Sequence, residues 1–214
     1  MNKIFKKIIG VILSAIMIFS VPMTTYAASQ TNNNIEESIM ELEEYLSLTE
    51  EETIFFDTNE ALKDGFSEEI VMAVEKNIVN MNELALKGVA QIDDSFTATI
   101  YVPSTRAVGE SKVIYHWYGT TEIYLNSDEA SDLVTTMRDN YRIISDISAL
   151  LDALAYAAPS IWTQVASFAG TFGVLQNFIM LSQVEDAEAP GTGIIIYLTN
   201  LPADNYSSIA VFPQ

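Results

Sequence analysis

The chain of 214 residues contains no cysteine and a single histidine, His116. Without thiols it has no disulfide staple, no thiolate nucleophile, no cysteine-ligated zinc site and no lipid anchor through a cysteine. A histidine-based zinc site would need carboxylates for its remaining ligands, and no ligand spacing supports one. Positive charge is also scarce, with 10 Lys and Arg against 29 Asp and Glu and a formal charge of −19. So acidic a surface repels polyanions at long range, which excludes nucleic acid as a partner and disfavours anionic membranes. The chain has no Gly-x-Ser-x-Gly elbow, no phosphate-cradling glycine loop and no calcium-loop spacing. No catalytic residue, metal site or cofactor is assigned from the sequence. His116 is left as a packed or exposed strand residue, or as half of an acid–base pair with a carboxylate.

What is present begins with export. Lys3, Lys6 and Lys7 form a basic start, residues 8–20 carry no charge, and Thr25-Tyr26-Ala27 sets small residues at two positions before the next segment. This is the pattern of a secretory signal peptide cut after Ala27. The apolar run falls short of the ~20 residues that a membrane anchor needs. Release of residues 1–27 leaves 7 Lys and Arg against 29 Asp and Glu, a formal charge of about −22 on about 187 residues. The end of the sequence, Ala210 to Gln214, has no apolar segment with a basic tail. Secretion into the extracellular space is the expectation. With 49% apolar residues, the exported part is expected to build a core rather than an acidic disordered tail.

The pattern along the chain predicts an α+β protein in two parts. Residues 28–102 read as a small acidic unit, with an acidic helix over 35–48 and a short strand over 53–56. A short helix after Thr58 follows, then a longer one from Ser67 to Gly88 with Ile70, Val71, Val74, Ile78, Met81 and Ala85 in one stripe. Residues 89–102 read as strand, broken into a hairpin at Asp93-Asp94. Residues 103–111, PSTRAVGES, read as a linker. Residues 112–214 read as a second α+β domain. In it, 112–126 form strand with a turn at Gly119, Ser127 caps a helix, and 193–199 and 206–212 form an antiparallel hairpin. Arg106, the only basic residue of the linker, is a candidate processing site that would part the acidic half from the apolar half.

Residues 153–184 contain no charge at all. Beyond Pro159, the stretch 161–183 is apolar nearly all round and is expected to form one helix, the most buried of the domain. At ~1.5 Å per residue its length matches a bilayer core. Ala166 and Gly170, and Ala169 and Gly173, stand four apart, as helices that pack closely in lipid require. Trp162, Ala166, Phe168, Gly170, Phe172, Gly173 and Phe178 are therefore its candidate membrane-facing or helix-packing residues. The same pattern is that of a central core helix, and Gln164, Gln176 and Asn177 favour the core. Glu185, Asp186 and Glu188 end the stretch, either as a solvated stop or as acids whose protonation eases insertion.

Several of these segments resemble a known group. Trp117-Tyr118-Gly119, then Glu122-Ile123-Tyr124-Leu125-Asn126-Ser127, the uncharged helical segment, and Gly193-Ile194-Ile195-Ile196 look like a loose group of exported proteins of Gram-positive bacteria, some regarded as bacteriocin-like. Residues 57–88 are similar to the leading half of the same group. The resemblance implies export and an antagonistic or membrane-directed role, and it carries over no catalytic residue. One departure stands out. Membrane-attacking bacteriocins are usually cationic, whereas residues 107–214 hold 3 Lys and Arg against 12 Asp and Glu. The sequence thus leads to a secreted, non-enzymatic protein directed at a membrane or cell-surface target through its uncharged helix. The alternative is an extracellular or envelope-associated binding module in which that helix is only core.

Overall fold

A computed structural model describes residues 38–103, 107–168, 174–200 and 206–214. The fold is α+β, built on one sheet of seven strands.

The N-terminal acidic segment turns once at Leu42–Tyr45 and becomes extended, so the helix expected through residue 48 stops early. Strand β1 (Leu46–Leu48) pairs antiparallel with β2 (Ile54–Phe56). Alternation sets Ile54 and Phe56 inward and Phe55 outward. Helix α1 (Thr58–Lys63) is capped by the Asp57 side chain, which accepts from the Glu60 amide. Helix α2 (Glu68–Leu86) buries Ile70, Val71, Val74, Ile78 and Met81, as its periodicity predicts, with Leu84 in place of Ala85. The Asn82 side chain bonds both the N–H and the C=O of Ile54, at 2.8 Å each, which fastens the β1–β2 hairpin to α2.

The main sheet comprises β3 (Gln91–Ile92), β4 (Thr97–Tyr101), β5 (Lys112–His116), β6 (Thr120–Leu125), β8 (Val174–Leu175), β10 (Ile194–Asn200) and β11 (Tyr206–Pro213). Their spatial order is β3-β4-β5-β6-β10-β11-β8. Every pairing is antiparallel except the short parallel one between β8 and β11. This topology corrects the division into two parts. Strands β4 and β5 stand on either side of 103–111 and pair along their length, so this segment connects neighbours in one sheet. Residues 38–214 form one compact unit. The hydrophobic pattern shows each strand's inner face but not which strand lies beside it, and a Pro- and Gly-containing connection reads alike as linker or hairpin loop.

Gly119 makes the β5–β6 turn at φ +97°, and a Cβ there would lie 2.2 Å from the Asn200 carbonyl oxygen. The Asn200 amide in turn donates to the Gly119 carbonyl at 3.0 Å, so only glycine lets β10 approach this turn. Beyond β6, Asn126 rather than Ser127 caps α3 (Ser127–Thr136), in a capping box with Glu129. The Ser111 hydroxyl donates to the same Glu129 carboxylate at 2.6 Å, closing a buried knot between the start of β5 and the helix. A π turn over Met137–Tyr141 ends at Arg142, whose φ of 55° is left-handed. Then follow β7 (Ile143–Ile144), α4 (Ile147–Ala157), α5 (Pro159–Phe168), β9 (Ile179–Met180) paired with β7, and α6 (Leu181–Glu188).

The stretch 161–183 is therefore not one helix. Helix α5 is described to Phe168, Val174–Leu175 and Ile179–Met180 are extended, and α6 is a separate helix. Among the described residues no helix is long and apolar enough to cross a membrane. Two causes lie in the sequence. Glycine costs roughly 1 kcal/mol relative to alanine inside a helix, and Gly170 and Gly173 both follow Phe168 closely. The Asn177 side chain, uneasy in a lipid helix, instead bonds the backbone of Ile209 on β11, next to the main-chain N–H of Gln176, which donates to the Ser207 carbonyl. Nor is the stretch uniformly buried. Ile161, Val165, Phe168 and Ile179 are core, whereas Val174, Phe178 and Met180 are exposed. Glu185, Asp186 and Glu188 sit in α6, where Glu185 pairs with Arg138 at 2.6 Å.

Candidate functional site

The five longer strands, β4, β5, β6, β10 and β11, each have one face in the core. Ala98, Val113, Ile123, Leu125, Ile196 and Leu198 are among the buried residues of that face. Tyr115 joins them, stacked on Phe168 of α5 at 3.8 Å between ring centroids, with its hydroxyl on the Gln164 carbonyl. The alternate residues make the opposite face, and the register sets them in rows. One row runs Tyr101, Lys112, Tyr124, Ile195, Phe212 across β4, β5, β6, β10 and β11. The next runs Thr99, Ile114, Glu122, Tyr197, Ala210. All of these keep part of their surface in solvent, and Tyr101 at the edge is 64% exposed. Three of the ten are tyrosines and one is phenylalanine, which is costly surface to leave uncovered.

At the centre of this face stands a polar network. His116 Nε2 lies 2.8 Å from Glu122 Oε1, and the Tyr124 hydroxyl donates to Glu122 Oε2 at 2.7 Å. The His116 and Glu122 side chains are 15% and 16% exposed. Lys112 completes the set, paired with Glu110 at 2.5 Å and poised 4.5 Å above the centroid of the Tyr124 ring. Tyr118, in the turn after β5, stacks on the His116 ring at 4.9 Å, and Tyr197 meets Phe212 edge to face at 5.5 Å. Burial by itself would raise the Glu122 carboxyl. The hydrogen bond and charge of His116, the Tyr124 hydroxyl and Lys112 outweigh it and hold Glu122 below the ordinary glutamate value. The tyrosines move the other way. Burial, then the Glu122 charge, pushes Tyr197 up to about 12 and raises Tyr118 and Tyr124 as well, with the Glu122 hydrogen bond adding to the rise at Tyr124.

This arrangement uses its charges on one another. The carboxylate has His116 and Tyr124, and the ammonium has Glu110 and an aromatic ring. By contrast, the hydroxyls of Tyr101, Tyr118 and Tyr197 make no hydrogen bond among the described residues. The recess beside His116, lined by Asn77, Met81, Gly119, Thr120 and Asn200 among others, has a volume of about 10 Å³ and admits little more than a water molecule. Among the described residues no group of three or more metal-ligating side chains comes together.

The residues singled out from the sequence lie elsewhere. Trp162 is 38% exposed on α5, Ala166 is half-buried, and Phe168 is core against Tyr115. Phe178, between β8 and β9, is 52% exposed. Ala27, Arg106, Gly170, Phe172 and Gly173 lie outside the described residues. The structure does not assemble Trp162, Phe168 and Phe178 along one apolar helix. His116 does have a carboxylate partner, Glu122, which sequence reasoning did not pair with it. The signal was available: once Gly119 is taken as the turn, residues 116 and 122 become diagonal neighbours on one face. Comparison with family models, with characterised proteins and with solved structures returns no match.

Proposed function

We propose that the protein is a secreted, non-catalytic binding module that presents the outer face of its sheet to a partner at or beyond the cell surface. The supporting observation is the row of aromatic side chains with unused tyrosine hydroxyls on the face opposite the core. A sheet interior supplies rigid, closely spaced positions for such side chains, and rigid aromatic anchors lose little entropy on binding. Export rests on the N-terminal pattern of residues 1–27 and agrees with the resemblance to exported proteins of Gram-positive bacteria. The test is retention of the labelled protein on cell-wall fragments of such bacteria. Tyr101→Ala and Tyr197→Ala should each reduce retention. Equal retention of wild type and both variants, all folded by circular dichroism, would overturn the reading.

A second reading has its own observation. Ile143, Trp162, Val174, Phe178 and Met180 leave large apolar side chains in solvent, four of them from the uncharged stretch. On this reading they contact a membrane surface, without a spanning helix, in the bacteriocin-like role drawn from the sequence. Leakage of dye from zwitterionic vesicles that is lost in Phe178→Ser would favour it, and intact vesicles at every concentration would exclude it.

A further inference from the structure

We propose that the outer sheet face takes an uncharged, hydroxyl-rich ligand, a neutral polysaccharide chain, along the rows that contain Tyr101 and Tyr197. The inference deepens the binding reading above and rests on it. It is carried by electrostatic complementarity. The chain as a whole has a formal charge of −19, yet on this face the charged side chains Glu110, Lys112 and Glu122 each already have a partner. Both Glu122 oxygens are already hydrogen-bonded, one to His116 and one to Tyr124, and Lys112 is paired with Glu110. A cationic partner would have to compete with His116 for Glu122, and an anionic one with Glu110 for Lys112. Among the described residues of this face, neither finds an unpaired charge of opposite sign. Ionic partners of either sign would meet only weakly screened, already satisfied pairs, which contribute little to affinity.

What the face does offer fits sugar rings. Tyr101, Tyr197 and Phe212 supply apolar ring surface for the C–H faces of pyranoses. The hydroxyls of Tyr101 and Tyr197 are not used among the described residues and can donate to or accept from ligand hydroxyls. Neighbouring strands stand about 4.8 Å apart, so the row from β4 to β11 extends over roughly 20 Å. That is the reach of an extended chain of about four sugar units rather than of one.

The test is calorimetric titration of the intact protein with cellohexaose and chitohexaose as neutral probes and with oligogalacturonate as the anionic one. Sedimentation velocity of the protein alone runs beside it. Saturable binding of a neutral probe is expected, weakened about tenfold by Tyr101→Ala and by Phe212→Ala. Tyr197→Phe, which keeps the ring and loses only the hydroxyl, should weaken it less. Tyr101 is exposed enough that its loss does not threaten the fold, and unchanged circular dichroism confirms this. Binding of the anionic probe alone overturns the polysaccharide inference while the binding module stands. So does a concentration-dependent dimer that Phe212→Ala dissociates, because the occupant is then a second copy. No binding of any probe, together with wall retention that ignores Tyr101→Ala, overturns both.

Discussion

Asn177 stands in for a strand beside Ile209. Its side-chain oxygen accepts from the Ile209 amide at 2.8 Å, and its nitrogen donates to the Ile209 carbonyl at 2.6 Å. The parallel pairing of β8 with β11 covers only residues 206 and 207, so the amide of Asn177 continues the ladder where the strand gives out. Asn82 does the same for Ile54 of β2. Just past the end of β11, the Gln214 side chain bonds both the amide and the carbonyl of Glu110, ahead of β5. Side-chain amides thus occupy backbone groups that would otherwise be open to another chain, a hazard that exposed edges carry.

Asn177→Ala should therefore remove two hydrogen bonds and leave the Ile209 backbone groups without partners. The expected loss is about 2–3 kcal/mol, read from the denaturant midpoint. Hydrogen exchange at the Ile209 amide should accelerate by more than that at Ile196, in the centre of the sheet. Uniform acceleration at both sites would mean that Asn177 acts on global stability alone and not at the edge.

Gly119→Ala tests how the sheet admits β10. The left-handed φ of +97° is strained for any side chain, and the added methyl would sit 2.2 Å from the Asn200 carbonyl oxygen. Both effects have one sign. A loss above about 2 kcal/mol is expected, with the largest shifts in nuclear magnetic resonance at Asn200 and Tyr118. A loss of only a few tenths would show that the β5–β6 turn and β10 move apart freely.

Much of this scaffold was legible from residue pattern. The stripe from Ile70 to Met81, the turn at Gly119 and the hairpin of β10 with β11 follow from period, glycine and β-branched runs. The stretch 161–183 was not legible, because an apolar run has the same pattern in a core helix, a lipid helix or a broken segment. The discriminating residue was Asn177, whose side-chain amide finds its partners on β11, 32 residues away in sequence. The candidate face was hidden for a related reason. Alternation in Lys112-Val113-Ile114-Tyr115-His116 separates two faces, but Ile114 and Tyr115 leave both apolar enough to be the core. Only the stacking of Tyr115 on Phe168 settles which face is buried.

Arg142 ends the π turn with a left-handed φ of 55° and is exposed. A side chain in this conformation costs roughly 1–2 kcal/mol, and glycine is the residue favoured where a helix stops this way. Arg142→Gly should raise stability by about 0.5–1 kcal/mol after the greater entropy of the unfolded glycine is subtracted. Arg142→Ala should not, since alanine keeps the strain. Equal effects of the two variants would place the change in the lost charge instead.

Glu122 makes the candidate face a source of pH dependence. The native state holds its carboxylate ionised more firmly than the unfolded chain does, because His116, Tyr124 and Lys112 together outweigh burial. A depressed value of this kind contributes stability in full above the unfolded value of about 4.5 and loses it as the pH falls through the lower native value. The tyrosines obey the opposite sign. Tyr197, raised from 10.0 to about 12, contributes in full below pH 10 and loses its contribution as the pH climbs toward 12. Many other carboxylates titrate in acid, so the informative quantity is the difference between wild type and Glu122→Gln. At neutral pH the variant should be less stable by about 1–3 kcal/mol, and the gap should close as the pH drops below 4. The same variant should lower the alkaline midpoint of tyrosine ionisation, followed by ultraviolet absorbance, because the negative charge that raises Tyr124 and Tyr197 is gone. A gap that stays constant from pH 7 to pH 3 would mean that Glu122 is held no more firmly in the fold than in the open chain. The network with His116 would then stabilise nothing.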